Sequence, residues 1–266
     1  MNPTQNKSEP PSNIEWKHWA KVDPLFGVAT LPGREKTGAN PWTEQDFYDY
    51  GKLIWSEYLP VWQQYGQNPE SCVEIGCGAG RMTRQLAAHF RSVSAIDISP
   101  DMLALARKSA PTADFKVSDG TSIPYPDNVF TAAFSCEVFQ HFDTREMATT
   151  YFRETFRVLK PGATMMIHLP IVILPLRRVW PAMGDFQAFL WRLSDRWQKH
   201  KSDAKRWLIL NRQRKPFYRL LQYEPDWLLD RLKEIGFQDI QISIFPVTGN
   251  PGVKVMGAHL FARKIQ

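Results

Sequence analysis

Three acidic residues and a cluster of glycines are spaced so that together they could hold a ligand. Gly76-Cys77-Gly78-Ala79-Gly80 follows the apolar run Cys72–Ile75, and a helical pattern follows the glycines. A strand, a glycine turn and a helix in that order let a ligand approach the backbone closely, near a helix N-terminus. Asp97 ends the next apolar run, twenty-one residues after Gly76. A carboxylate there can accept both hydroxyls of a ribose. Asp119-Gly120 ends the third run, where a carboxylate could accept an adenine amino group. Glu74 stands two residues before the first glycine, and its charge disfavours a close pyrophosphate but suits a cationic ligand. The dinucleotide fingerprint Gly-x-Gly-x-x-Gly is not met, because Arg81 occupies the place of the third glycine.

These residues need a frame, and the apolar patterning supplies one. Strands are expected at Cys72–Ile75, Val93–Ile98, Ala113–Val117, Val129–Ser135 and Ala163–Leu169. Between them lie helices over Arg81–Phe90, from Ser99-Pro100 to Lys108, and from Asp143-x-x-Glu146 to about Leu159. Strand and helix alternate with short loops, which predicts a parallel sheet covered on both faces. Ahead of this core, Thr43-x-x-Asp46 opens a helix carrying Phe47, Tyr50, Ile54 and Tyr58, with Pro60 weakening its end. Residues 1–40 are punctuated by Pro and Gly, and the first dozen are expected to be mobile. After the fifth strand, Phe186, Phe189, Leu190, Leu193 and Trp197 share a helical face. Pro225 starts a last helix that stops at Gly236, and Phe237–Phe245 and Val255–Ala262 form two final strands. The chain thus divides into an N-terminal extension (1–70), a core (71–170), an insertion (171–222) and a return to the core (223–266).

Composition narrows the function. The 266 residues suffice for a core without disulfides or metals, and 43% apolar with 23% charged residues describes a globular chain. The six histidines show no pair at metal-ligand spacing, so no metal is expected. Cys72, Cys77 and Cys136 make no disulfide framework, and the polar start Met1–Asn13 lacks the apolar segment of a signal peptide. A cytoplasmic setting fits both features. The net charge of +6 is uneven: residues 171–222 hold twelve Lys/Arg against three Asp/Glu, and four of the ten tryptophans. Five more tryptophans precede residue 70. A basic aromatic stretch attracts anions, an anionic membrane surface included, or else is a solvated helical face with its stems packed on tryptophan.

Five segments in order carry a family resemblance. Val73-Glu74-Ile75-Gly76-Cys77-Gly78-Ala79-Gly80-Arg81 resembles the first motif of class I S-adenosylmethionine-dependent methyltransferases. Ala95–Leu103 resembles their ribose-binding segment, and Ser118-Asp119-Gly120 with Ile123-Pro124-Tyr125 the adenine-side segment. Phe130–Phe142 resembles the fourth-strand motif, and Val158–Ala163 the turn before strand five. The resemblance implies a doubly wound α/β fold: a Rossmann-like sheet of seven mostly parallel strands, the last antiparallel, with a helical N-terminal extension and a helical lid insertion, the two together forming the lid over the acceptor. It implies S-adenosyl-L-methionine as cofactor. Gly76, Gly78 and the intervening Cys77 would face the methionine part, near Arg81. Glu74 and the backbone at Ser135 or Cys136 would place its ammonium. Asp97 would hold the ribose, Ile98 and Met102 would pack on the adenine, and Asp119 with Gly120 would meet its amino group. His141, after the fourth strand, and His168, at the end of the fifth, are the candidates for substrate contact or proton transfer.

The acceptor is expected to be a small molecule. The Asn/Asp-Pro-Pro-Tyr/Phe segment of enzymes that methylate base amino groups is replaced here by Ser135-Cys136-Glu137-Val138. Cys136 follows serine, not the proline of carbon-five cytosine enzymes, and reads as packing. Nucleic acid is therefore the less favoured partner. Aromatic residues in 1–70 and 171–222 suit an apolar or ring-bearing acceptor, and the arginines suit an acidic end or a membrane that presents it. Two other readings remain: an RNA methyltransferase that tracks phosphates with the insertion, and a protein that binds the cofactor without using it. The oligomeric state is open.

Overall fold

A computed structural model of the chain describes residues 9–172, 220–246 and 256–266. The expected helix through Phe186–Trp197, and the insertion as a lid, lie outside the described residues.

The three apolar runs that open the core form β1 (Ser71–Ile75), β2 (Ser92–Asp97) and β3 (Asp114–Val117). β4 (Phe130–Cys136) and β5 (Leu159–Ile171) follow, and β6 (Phe237–Pro246) and β7 (Met256–Lys264) close the chain. The sheet order is β3-β2-β1-β4-β5-β7-β6. The first five strands are parallel, and β7 runs antiparallel between β5 and β6. β1 and β4 are buried along their whole length, which is why they read as unbroken apolar runs rather than alternating ones. β5 begins four residues earlier than the patterning suggested. Leu159 pairs with Phe130, the chain bulges through Gly162 (φ 83°), and pairing resumes at Thr164.

One face of the sheet is covered by α3 (Glu44–Tyr65), α4 (Thr83–His89) and α5 (Pro100–Ser109). The other carries α6 (Arg145–Val158) and α7 (Pro225–Ile235). α3 is therefore part of the core and not a lid: Trp55, Tyr58, Trp62 and Tyr65 pack on Phe134, Met166 and Phe261. It continues past Pro60 to Tyr65, where Gly66 (φ 93°) ends it. Burial of these rings outweighs the one backbone bond that proline removes. The buried Trp62 Nε1 also donates to Thr164 Oγ1 on β5, at 3.1 Å.

The N-terminal residues depart most from expectation. Pro11–Val22 is a helix (α1), followed by the short α2 (Pro24–Val28). Proline at the first helical position starts α1, and Trp19 and Ala20 bury one side of it. Ser12, inside the dozen residues expected to be mobile, donates from both its backbone N and Oγ to Asp143 Oδ2, at 3.0 and 2.8 Å. At the far end of β5, Val172 and Tyr223 are joined by backbone bonds, as are Tyr223 and Pro170. The insertion therefore leaves and rejoins the core at one place. No helix among the described residues is long and apolar enough to cross a membrane.

Candidate active site

The C-terminal ends of β1, β2 and β4 surround a cleft of about 810 Å³, partly open to solvent. Its floor is the glycine turn. Gly76 N and Cys77 N both donate to Ile96 O, at 2.8 and 3.0 Å, which ties the turn to β2. Gly76 (φ 73°) and Gly78 (φ 52°) take left-handed backbone. A Cβ at Gly76 would lie 2.5 Å from Val138 Cγ2, and one at Gly78 would lie 2.6 Å from Val28 Cγ2. Conformation and close approach together require glycine at both positions.

Asp97 leaves β2 beside this turn. Its Oδ2 accepts from Gly78 N and its Oδ1 from Ser99 N, each at 2.8 Å. Burial raises the Asp97 carboxyl above its ordinary pKa, against the pull of those backbone donors. Ser99 Oγ in turn caps α5 by accepting from Met102 N, which seats Met102 at the cleft beside Ile98. Beyond them lie Ser118 and Gly120. On the other side Cys136 and Glu137 leave β4, and Val138, His141 and Phe142 follow in a 3₁₀ turn and its exit. Glu137 adopts φ 60°, unusual for a residue with a side chain.

Of the expected site residues, the cleft brings together Gly76, Gly78, Asp97, Ile98, Met102, Gly120, Cys136 and His141. Five others lie elsewhere. Glu74 is buried beneath the turn and accepts from Thr83 Oγ1 at 2.5 Å. Cys77 points into the α5 core with Ala95, Leu103 and Ala106. Arg81 is buried and donates from Nη2 to Glu137 at 2.6 Å. Asp119 is exposed and caps its own turn, its Oδ1 accepting from the Thr121 and Ser122 backbones and from Ser122 Oγ. His168 lies in register with Cys136 on the α3 face, among Tyr58, Phe245 and His259. Burial lowers its pKa, so it stays neutral away from the cleft.

The sequence reading missed Ser12, Asn13 and Trp16 of α1, Val28 of α2, and Glu137, Met147 and Tyr151. A signal existed for α1: Pro10-Pro11 before Ser12 is a helix start, and Trp16, Trp19 and Ala20 recur at helical spacing. The punctuation of the next twenty residues obscured it.

The cleft's charge is one-sided. Asp97 and Glu137 line it, and no Lys or Arg does among the described residues. Burial opposes ionisation of Glu137, but the ion pair with Arg81 outweighs it and holds the carboxyl below its ordinary value. Such a cleft suits a cation and repels phosphates. Cys136 is no nucleophile, because burial pushes its thiol up to about 12.

Glu74 makes a testable stability term. Burial raises its carboxyl to about 7, although Thr83 and Arg81 favour the ionised form. The unfolded value is about 4.3. Between these values the folded state binds more protons than the unfolded one, so stability falls as pH rises through that window. Glu74→Gln should therefore match the wild type near pH 4 and exceed it increasingly toward pH 8. Urea midpoints at the two pH values check this; a constant difference between the two proteins would contradict it.

Comparison with known proteins agrees with this geometry. Residues 73–167 match the family model described as Methyltransferase domain. Among curated relatives, a malonyl-acyl-carrier-protein O-methyltransferase of Halorhodospira halophila is 34% identical over 48% of this chain and 45% of its own. Among solved structures, an S-adenosylmethionine-dependent methyltransferase of Methanosarcina mazei superposes with a TM-score of 0.56 at 22% identity, covering 77% of this chain and 97% of its own. The N-methyltransferase NodS of Bradyrhizobium japonicum, in complex with S-adenosylhomocysteine, gives 0.56 at 13% identity over 96% of this chain and all of its own. The chain spans under half the length of the first curated relatives it matches. Over residues 73–167 the chain is thus similar to methyltransferase domains, and its fold is that of the solved methyltransferases above.

Proposed function

We propose that the chain transfers a methyl group from S-adenosylmethionine to a small-molecule acceptor, apolar or aromatic with an acidic part. The observation that carries the cofactor reading is the cleft itself: a glycine turn, two carboxylates, apolar walls and no cationic side chain among its described lining residues. Asp97 would accept from ribose hydroxyls, and Ile98 and Met102 would pack on the adenine ring. Glu137 supplies negative charge near a sulfonium or ammonium. When bound, the cofactor supplies a methyl group on a positively charged sulfur, ready for in-line displacement. The protein's part is then to orient the acceptor and exclude water. Trp16, Phe142 and Tyr151 offer aromatic surface for a ring or chain. The arginines of the basic stretch 171–222 suit the acidic part.

His141 is the group in the cleft suited to accept a proton from a hydroxyl or amine as its bond to the methyl forms. The Trp16 ring meets the imidazole edge to face at 4.7 Å, and Gln140 Nε2 lies 3.2 Å from its Nε2. The test is methyl transfer by the purified full chain to a panel of aromatic and aliphatic carboxylic acids, read as S-adenosylhomocysteine formed. Against the best acceptor, His141→Ala should lower kcat by about 10²–10⁴-fold at saturation. An unchanged kcat would remove His141 from proton transfer. Absence of turnover together with absence of S-adenosylhomocysteine binding would overturn the proposal.

A further inference from the structure

Asn13 is 4% exposed and lines the cleft, yet its side-chain amide makes no hydrogen bond with any described residue. It lies against the third strand's exit: a Cβ at Gly120 would come within 2.4 Å of Asn13 Nδ2. Ile98, Met102 and Ser118 line the same part of the cleft. Neither amide atom is sealed from solvent, so the amide faces the cleft with its acceptor and donor open to a partner that arrives. α1 is held while it waits, since Ser12 fastens the preceding residue to Asp143 with two bonds.

An Asn amide presents an acceptor and a donor side by side. That pair matches the 6-amino group and an adjacent ring nitrogen of adenine, and neither a phosphate nor a carboxylate can satisfy both. The apolar side chains of Ile98 and Met102 suit the faces of such a ring. Asp119, the residue expected to meet the amino group, spends its Oδ1 on Thr121 and Ser122. We propose that Asn13 reads the amino edge of the cofactor's adenine, Oδ1 accepting from the 6-amino group and Nδ2 donating to the neighbouring ring nitrogen. The N-terminal helix is thereby a specificity element of the cofactor site. This inference rests on the cofactor reading above.

The test compares adenosine with purine riboside, which lacks only the 6-amino group, by calorimetric titration of the full chain. Wild type should prefer adenosine by about five- to tenfold, the effect of one hydrogen bond. In Asn13→Ala the preference should fall to about one. Asn13→Asp, which keeps an acceptor but loses the donor, should bind both nucleosides more weakly and retain the preference. Both ring nitrogens are present in both probes, so the ratio reports the amino contact and cancels any general loosening of α1. An undiminished ratio in Asn13→Ala, with S-adenosylhomocysteine still bound, would overturn the assignment alone. Failure of wild type to bind either nucleoside or S-adenosylhomocysteine would overturn it together with the cofactor reading.

Discussion

Asp97→Ala should abolish measurable binding of S-adenosylhomocysteine, a loss of at least about 100-fold. Two effects add. On the proposed cofactor reading the carboxylate would accept from ribose hydroxyls, and a hydrogen bond to a charged group is worth about 1.5–3 kcal/mol. Asp97 also holds the site together, because its Oδ2 accepts from Gly78 N and its Oδ1 from Ser99 N at the start of α5. Alanine leaves both amides without that partner and frees the glycine turn to change shape. Asp97→Asn separates the effects, since its amide oxygen can still accept from one backbone donor but carries no charge. It should bind more weakly than wild type and more tightly than Asp97→Ala. Calorimetry with S-adenosylhomocysteine reads the series, and wild-type affinity in Asp97→Ala would place the cofactor elsewhere.

The second large effect concerns Arg81 and Glu137. The Arg81 side chain is 3% exposed, and its Nε and Nη1 are buried with no hydrogen-bond partner among the described residues. Glu137 is the carboxylate that neutralises it, at 2.6 Å, and its own side chain is 35% exposed. Removing one partner of a buried pair strands the other charge, at about 3–5 kcal/mol. Partial exposure of Glu137 puts Glu137→Gln near the lower end, about 3 kcal/mol. The pH dependence has a defined sign. The folded carboxyl lies below its ordinary value, so its stabilisation is present above about pH 4.3 and is lost as pH falls through the folded pKa. The gap between wild type and Glu137→Gln should therefore be full at pH 7 and narrow on acidification below about pH 4. Denaturant unfolding at several pH values measures it, and a gap that persists at low pH would show that the charge is not what matters.

Much of this molecule was written in local pattern. Parallel strands buried on both faces read as short apolar runs, and glycines, caps and prolines mark their ends, so β1 to β5, α5 and α6 could be placed from the chain alone. The glycine turn, Asp97, Ile98 and Met102 were legible for the same reason: each sits at a strand exit, which is a position in sequence as much as in space. Even the antiparallel last strand followed from the family resemblance.

Other features depended on distance across the fold. Whether Glu74 faces ligand or core depends on Thr83, nine residues on, and whether Arg81 meets cofactor depends on Glu137 in another strand's exit. His168 looked available because it stands near the end of β5. Its register with Cys136 and His259 turns it instead onto the face that α3 covers. Asp119 kept its place but gives its Oδ1 to its own turn. The N-terminal helix was least visible of all, since it is tied to the cleft by residues more than a hundred positions away, Asp143 and His141. Local sequence determined which elements form and where their ends lie. Only the tertiary structure decided which polar groups at those ends already have partners and which, like Asn13, still face the cleft, because hydrogen-bond satisfaction depends on neighbours that the chain brings together only once it is folded.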